Sequence, residues 1–368
     1  MTRLRPLALL LALALTLAAC GGADEPAVEE ADAEPATTEE DEAAEDAGAA
    51  PAEDCDEHGI RVSFIASDTS TWAQATEAFA EAVADGSDGR IEVEGFAGGQ
   101  LANANQQAEL EAVQQGTIDA LWVSPIILAL FMDQRFDIYS LPFLFANHEE
   151  ANEVVDGPVG EMTEGWLREG GLEPLGWGVN GFRQITNNDR PITEPSDVEG
   201  LRLRVAGTDM YLQTFDLLGA DALTMSFGEV FTSLQQGVLD GQENPLSIIY
   251  SSSLQEVQDH VSIWNYSFDP LVLAMNDQIF DDFCEQDQEL LRTAATDAGQ
   301  MQRELSIQED IDLPQQLEEE GMTVTPYEDV DIEAFQDLIV EPIYSEWESV
   351  IGEEELQMML DAVEQASS

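Results

Sequence analysis

The stretch IRVSFIASDTSTWAQATEAFAEAV, residues 60–83, begins as a strand and ends as a helix. Ile60–Ala66 is an apolar-biased strand, and Ser67-Asp68-Thr69-Ser70-Thr71 supplies turn and helix N-cap chemistry. Trp72–Val83 then reads as an amphipathic helix. Outward from it, Arg90–Phe96 alternates as a second strand. Gln106–Gln115 is helical and stops at Gly116, and Ile118–Val123 is a third strand closed by Ser124-Pro125. Strands and helices alternating at this spacing make a parallel α/β unit. Ligands of such sheets collect beyond the carboxyl ends of the strands, which points to Ser67–Thr71 and Trp122–Ser124.

Further along, 149–170 is expected to be one helix, with strands over Leu172–Val179 and Phe182–Asn187. A strand at Leu201–Val205 precedes helices over Asp209–Leu218 and Ser226–Gln236, each stopped by glycine, and 261–274 is β-rich. Glu285–Gly321 predicts one long helix with Pro314 inside it, and 333–351 and 353–365 predict two more. Two groups of strands with helices wound between them imply two α/β lobes connected more than once.

The ends of the chain are read differently. Arg3 and Arg5 precede an apolar run, Leu7–Leu17, too short for a membrane span. Leu17-Ala18-Ala19-Cys20-Gly21-Gly22 resembles a bacterial lipobox, which implies a signal peptide over 1–19, cleavage before Cys20 and lipid on that cysteine. Residues 20–57 carry 16 acidic side chains, no basic one and no periodicity, so they are expected to form a disordered tether. The protein is therefore placed outside the cytoplasm, lipid-anchored to the cell membrane.

The chain has 76 Asp+Glu against 12 basic residues, all of them Arg. Without the tether's 16 acids and the two leader arginines, 60 acids face 10 Arg, a net of −50. Self-repulsion of that size is screened within about 3 Å at 1 M salt, so a salt-loving host is expected. A genome bias from Lys to Arg would explain the missing lysine but not the acidity. Nucleic acid is excluded as a partner by repulsion. Cys55 and Cys284 remain in an oxidising compartment, either as one disulfide or as two separate thiols. His58, His148 and His260 lack metal-ligand spacing, so no metal or cofactor is expected.

Against this background four arginines, Arg183, Arg190, Arg202 and Arg204, fall within 22 residues. Arginine's planar fork of donors matches a carboxylate bidentately, so the cluster suggests an anion site. In Leu201-Arg202-Leu203-Arg204-Val205 the period of two puts the apolar side chains on one face and both arginines on the other. Period alone does not choose between the two arginines.

The run Asn180-Gly181-Phe182-Arg183-Gln184-Ile185-Thr186-Asn187, with Arg190-Pro191-Ile192 and Asp197-Val198-Glu199-Gly200-Leu201-Arg202-Leu203-Arg204-Val205, resembles the core signature of TRAP-transporter solute-binding proteins. These are the tripartite ATP-independent periplasmic receptors of the C4-dicarboxylate-binding type. Ser226-Phe227-Gly228-Glu229-Val230-Phe231 and Leu234-Gln235-Gln236-Gly237 through Gln242-Glu243-Asn244-Pro245 extend the similarity, which covers 60–345.

The resemblance implies a periplasmic-binding-protein-like α/β fold of two lobes, with a cleft between them and a long C-terminal helix bridging them. Lobe I would comprise 58–180 with about 270–309, and lobe II 181–269 with about 310–368. Arg204 matches the arginine that clamps the ligand carboxylate, Arg183 a second arginine supporting it, Asn244 an amide that binds it, and Phe227 an aromatic lining the cleft. Trp72, Trp177 and Ser124, near strand ends, are further candidates, as is Trp122. Asn105-Gln106 and Ser124 stand where sialic-acid members place acidic residues, which argues against that ligand. The implied role is a monomeric, non-enzymatic receptor that hands an organic acid to the membrane subunits of an ion-driven permease. The rival readings are a binding protein serving a sensor or another importer, and an extracellular enzyme acting on an organic acid. No Gly-x-Ser-x-Gly, phosphate loop or Cys–His motif supports the enzyme.

Overall fold

A computed structural model describes residues 55–367. The signal peptide, Cys20 and the tether as far as residue 54 lie outside the described residues. The opening unit is as the sequence predicts: β1 (His58–Ser63), α1 (Thr71–Gly86), β2 (Ile91–Phe96), α2 (Gln106–Gln114) and β3 (Ala120–Val123). β1 lies parallel to both β2 and β3. Ser70 caps α1 by accepting from Ala73 N, Asn105 caps α2, and Ser124 caps the short α3 (Pro125–Phe131). The single helix expected over 149–170 is two, α4 (His148–Val155) and α5 (Pro158–Glu169). Pro158 has no N–H to continue the first helix and sits comfortably at the start of the second.

β4 (Leu172–Asn187) is one buried strand where two were expected. The chain then builds β5 (Arg202–Val205), α6 (Asp209–Leu217), β6 (Asp221–Thr224), α7 (Val230–Gln235), β7 (Gly241–Pro245), α8 (Leu246–Ser251) and β8 (His260–Ser262). β9 (Phe268–Asn276) returns to the first lobe, antiparallel to both β3 and β4. α9 (Asp277–Asp281), α10 (Glu285–Glu319), β10 (Thr323–Thr325), α11 (Ile332–Ile351) and α12 (Glu353–Ala366) complete the fold. The sheet order is β2-β1-β3-β9-β4-β7-β5-β6, with β8 and β10 beside its second half. β4 belongs to both halves and joins the lobes.

The 35-residue α10 packs on α1 and β4 in one lobe and on α8 and β10 in the other. Its approach to β4 leaves no room for a side chain. A Cβ on Gly299 would lie 2.3 Å from Trp177 O, and one on Gly176 2.5 Å from Ala295 O. At Val179 the strand faces Pro270, which has no N–H, and its register shifts before Gly181, where φ is +122°. Gln302 of α10 fills the gap: its Oε1 accepts from Val179 N and its Nε2 donates to Val179 O, each at 2.7 Å. One glutamine thus satisfies a backbone pair that the sheet leaves open.

Two expected boundaries shift. α11 places Phe335 and Ile339 in the second lobe's core, while its Ile343, Trp347 and Ile351 enter the first lobe's core. α12 buries Leu356 and Met359 beside Val154, Val155 and Leu167 of α4 and α5, so the chain's end belongs to lobe I rather than lobe II. Its apolar positions recur at helical spacing and find their partner surface there. The described structure begins at Cys55, ahead of the expected domain start at 58. Cys55 is bonded to Cys284 at a Cα separation of 5.7 Å, tying the approach to β1 to the N-cap of α10. No described helix is long and apolar enough to cross a membrane.

Gly299→Ala should destabilise the protein by about 1–3 kcal/mol, because the backbone of α10 must move off β4; urea unfolding measures it. Cys284→Ser should cost about 2–5 kcal/mol, since the disulfide closes a separation of 229 residues. An unchanged urea midpoint under oxidising conditions would contradict this.

Candidate functional site

Alternation along β5 separates its two arginines from the core. Leu201, Leu203 and Val205 are buried in the second lobe. Arg202, close to the sheet edge, pairs with Asp240 and keeps a 42% exposed side chain. Arg204 is buried, and Nε and Nη2 reach only the carbonyl oxygen of Met225, at 3.4 and 3.2 Å. Each of the other nine described arginines has a carboxylate within 4.0 Å; Arg204 has none. Burial without a counter-ion pulls its pKa down to about 10, with nearby Arg183 acting in the same direction and Glu243 opposing. It remains charged at neutral pH.

Arg204 borders a cavity of about 50 Å³ and an adjoining vestibule of about 270 Å³. The walls come from both lobes: Ile65 and Trp72 after β1, Ser124 after β3, Asn180 and Arg183 on β4, Asn244 on β7. Phe227 stands at the junction, its ring 5.9 Å from the Arg204 guanidinium carbon, and packs against core residues of both lobes.

The bulge in β4 sets this wall. Trp177 and Val179 face the first lobe's core, Gly178 and Asn180 the opposite side. A regular strand would send Arg183 back to the Trp177 side. The extra residue at 179–181 instead places Asn180 and Arg183, three apart, on one wall.

Arg183 is buried but fully neutralised. Its Nε bonds Glu243, Nη2 donates to Glu243 Oε1 at 3.0 Å and to Asn244 Oδ1 at 3.2 Å, and Nη1 lies 3.3 Å from Asp269 Oδ2. Glu243 also accepts from Ala206 N and Tyr266 Oη, both at 2.8 Å. Asp269, on β9, accepts from Ser124 Oγ at 2.5 Å through Oδ1 and from Asn180 Nδ2 at 2.7 Å through Oδ2. Burial raises the Asp269 pKa, while Arg183, Ser124 and Asn180 oppose the rise. A network of one guanidinium and two carboxylates thus stands beside Arg204, which has no ion pair of its own.

Of the residues singled out from sequence, Arg204, Arg183, Asn244, Phe227, Trp72 and Ser124 line the cavity. Trp177 does not. Its ring lies on the far face of β4, 6.0 Å from that of Tyr139, and its Nε1 donates to Glu164 at 3.1 Å. Trp122 is likewise core, bonded to Thr76. Sequence reasoning passed over Asn180, Glu243 and Asp269 as site residues. Asp269 left a legible sign, one acid opening an otherwise apolar strand. Among the described residues the one group with metal-ligand proximity is Cys55, Cys284 and Asp287, and its two sulfurs are bonded to each other.

Comparison with known proteins gives this geometry a context. The family model of bacterial extracellular solute-binding proteins, family 7, matches residues 62–349. The 2,3-diketo-L-gulonate-binding periplasmic protein of Escherichia coli is 29% identical over 76% of this chain and 84% of its own length. The sugar acid binding protein of Advenella mimigardefordensis, solved with galactonate, is 33% identical. It covers 85% of this chain and all of its own, with a TM-score of 0.81. A TRAP periplasmic solute binding protein of Ralstonia eutropha, solved with (S)-2-acetolactate, is 30% identical with a TM-score of 0.78, covering 83% of this chain and 99% of its own.

The two arginines should respond oppositely to substitution. Arg204→Met removes an unpaired buried charge and should raise the stability of the unliganded protein by about 1–3 kcal/mol. Arg183→Met strands Glu243 and Asp269 and should cost about 3–5 kcal/mol. Urea titrations of both variants without added acids check the pair.

Proposed function

The chain belongs to the family-7 bacterial extracellular solute-binding proteins, and from that premise we propose that it captures an organic acid by seating its carboxylate on Arg204. It is a TRAP-type solute-binding protein, the class that binds organic acids outside the cytoplasm and delivers them to a membrane permease. The observation that carries the Arg204 assignment is the absence of any carboxylate partner for this buried guanidinium in so acidic a chain. Met225 O gives it only a neutral acceptor. An incoming carboxylate supplies the missing charge through two parallel charge-assisted bonds.

Arg183 acts mainly through others, holding Asn244 and Asp269 in place while one Nη1 hydrogen stays free for the ligand. Galactonate, acetolactate and 2,3-diketo-L-gulonate, named for three relatives, each carry a carboxylate. Because the walls belong to different lobes, a bound acid favours the closed arrangement over the open one by contacts that only closure makes. The permease then reads the closed form. No catalysis is assigned to the chain.

The lipobox-like run ending at Cys20 supports a lipid anchor to the cell membrane outside the cytoplasm, at the outer face or in the periplasm. The net charge of −50 in residues 58–368 gives the ligand no long-range attraction, so recognition is left to short-range contacts and is helped by salt.

A thermal-shift panel of organic acids tests the assignment, run in low and in molar NaCl beside Arg204→Ala. A ligand at 100 times its Kd should stabilise the native chain by about 2.7 kcal/mol and leave the variant unmoved. The unliganded melting temperature should rise with salt. An equal ligand shift in the variant would refute the Arg204 clamp, and equal stability at both salt levels would refute the salt adaptation.

A further inference from the structure

Resting on the reading of Arg204 as the carboxylate seat, we infer that the cleft selects an acid with a single carboxylate and a neighbouring hydroxyl, and that Asp269 and Asn180 make the selection. The cavity is bordered by two cations, Arg183 and Arg204. The charge of the first is more than offset by Glu243 and Asp269, so its remaining Nη1 hydrogen carries no unpaired charge and only Arg204 offers one to an anion. One ligand carboxylate pairs with it. A second would enter a buried space whose remaining charged wall is Asp269, with no cation left to receive it. A buried, uncompensated carboxylate is among the most costly groups to place.

The same wall wants a donor. Asn180 Oδ1 is buried and has no hydrogen-bond partner, because the Asn180 amide is turned to give Nδ2 to Asp269. Asp269 Oδ1 accepts only from Ser124, leaving it capacity for another donor. Both residues line the cavity, and Asp269 is 1% exposed. A carboxylate offers these oxygens no hydrogen; a hydroxyl does, and can then accept in turn. The unpartnered donor across the cavity, Trp72 Nε1, is neutral and suits an oxygen of the ligand's body rather than a second charge. Ile65, Ile126 and Ile248 close the rest of the wall with apolar surface.

The test is calorimetric titration of the full chain at neutral pH with matched acids of four to six carbons. Each set holds a 2-hydroxy monocarboxylate, its deoxy analogue and a 2-hydroxy dicarboxylate; 2-hydroxy-3-methylbutanoate, 3-methylbutanoate and 2-hydroxysuccinate make one such set. The hydroxy monocarboxylate should bind about tenfold or more tightly than either companion, as expected for a hydrogen bond to a buried, partly charged wall. Asp269→Asn keeps the shape and removes the charge, and should narrow the gap between the mono- and dicarboxylate. Asn180→Leu should narrow the gap between the hydroxy and deoxy acids, and stands in if Asp269→Asn does not fold. Equal affinity across a set, a preference for the dicarboxylate, or ratios unchanged in both variants would overturn the inference while leaving the Arg204 clamp intact. Binding of none of the acids would overturn the clamp as well.

Discussion

One buried guanidinium without a counter-ion organises this molecule. The folded body could pair Arg204 many times over, yet the side chain reaches only a backbone carbonyl. Its isolation is built by the fold. Alternation on β5 puts both arginines on the face away from the core; Arg202, at the start of the strand, meets Asp240, while Arg204 lies buried against the cavity, where Glu243 and Asp269 are already engaged by Arg183, Tyr266 and Ser124. On the proposed reading, a ligand carboxylate supplies the counter-charge that the folded chain does not give Arg204.

The unpaired state needs a scaffold that does not collapse onto the cation, and β4 with α10 provides it. β4 carries the chain from one half of the sheet to the other, and α10 lies against it so closely that glycines are required at 176 and 299. Gln302 fixes the bulge that turns Asn180 and Arg183 to the same wall. The site therefore depends on a helix residue that never lines it. α11, anchored in the cores of both lobes, adds a second rigid connection at the back.

Much of this was legible in the chain. The strand–helix–strand spacing of residues 60–123 indicates the parallel unit, the arginine run with its flanking motifs indicates the family and points to Arg204, Arg183, Asn244 and Phe227, and the strand ends point to Trp72 and Ser124, all of which line the cavity. What escaped has a common cause. Trp177 stands near the end of a strand expected over Leu172–Val179, but β4 runs on to Asn187 and the ring falls on its core face; the bulge beyond it, opposite Pro270 some ninety residues away, is not readable from the sequence either. Asn180, Glu243 and Asp269 acquire their meaning only through one another, as a network drawn from three strands. The last helix joined the first lobe because its apolar stripe has a partner surface there, which composition does not reveal. The disulfide was open for the same reason: pairing of Cys55 with Cys284 is a fact of proximity, and proximity is what folding adds.

Acidity sets the conditions under which such a receptor works. A surface charge this negative repels its own ligand at long range, so selectivity is concentrated in a few ångströms around one cation. The most direct measurement of that claim is a crystal structure of the native chain with a bound organic acid. The account predicts the carboxylate oxygens about 3 Å from Nε and the Nη atoms of Arg204, between the two lobes. An acid bound elsewhere, with Arg204 still meeting only Met225 O, would contradict it.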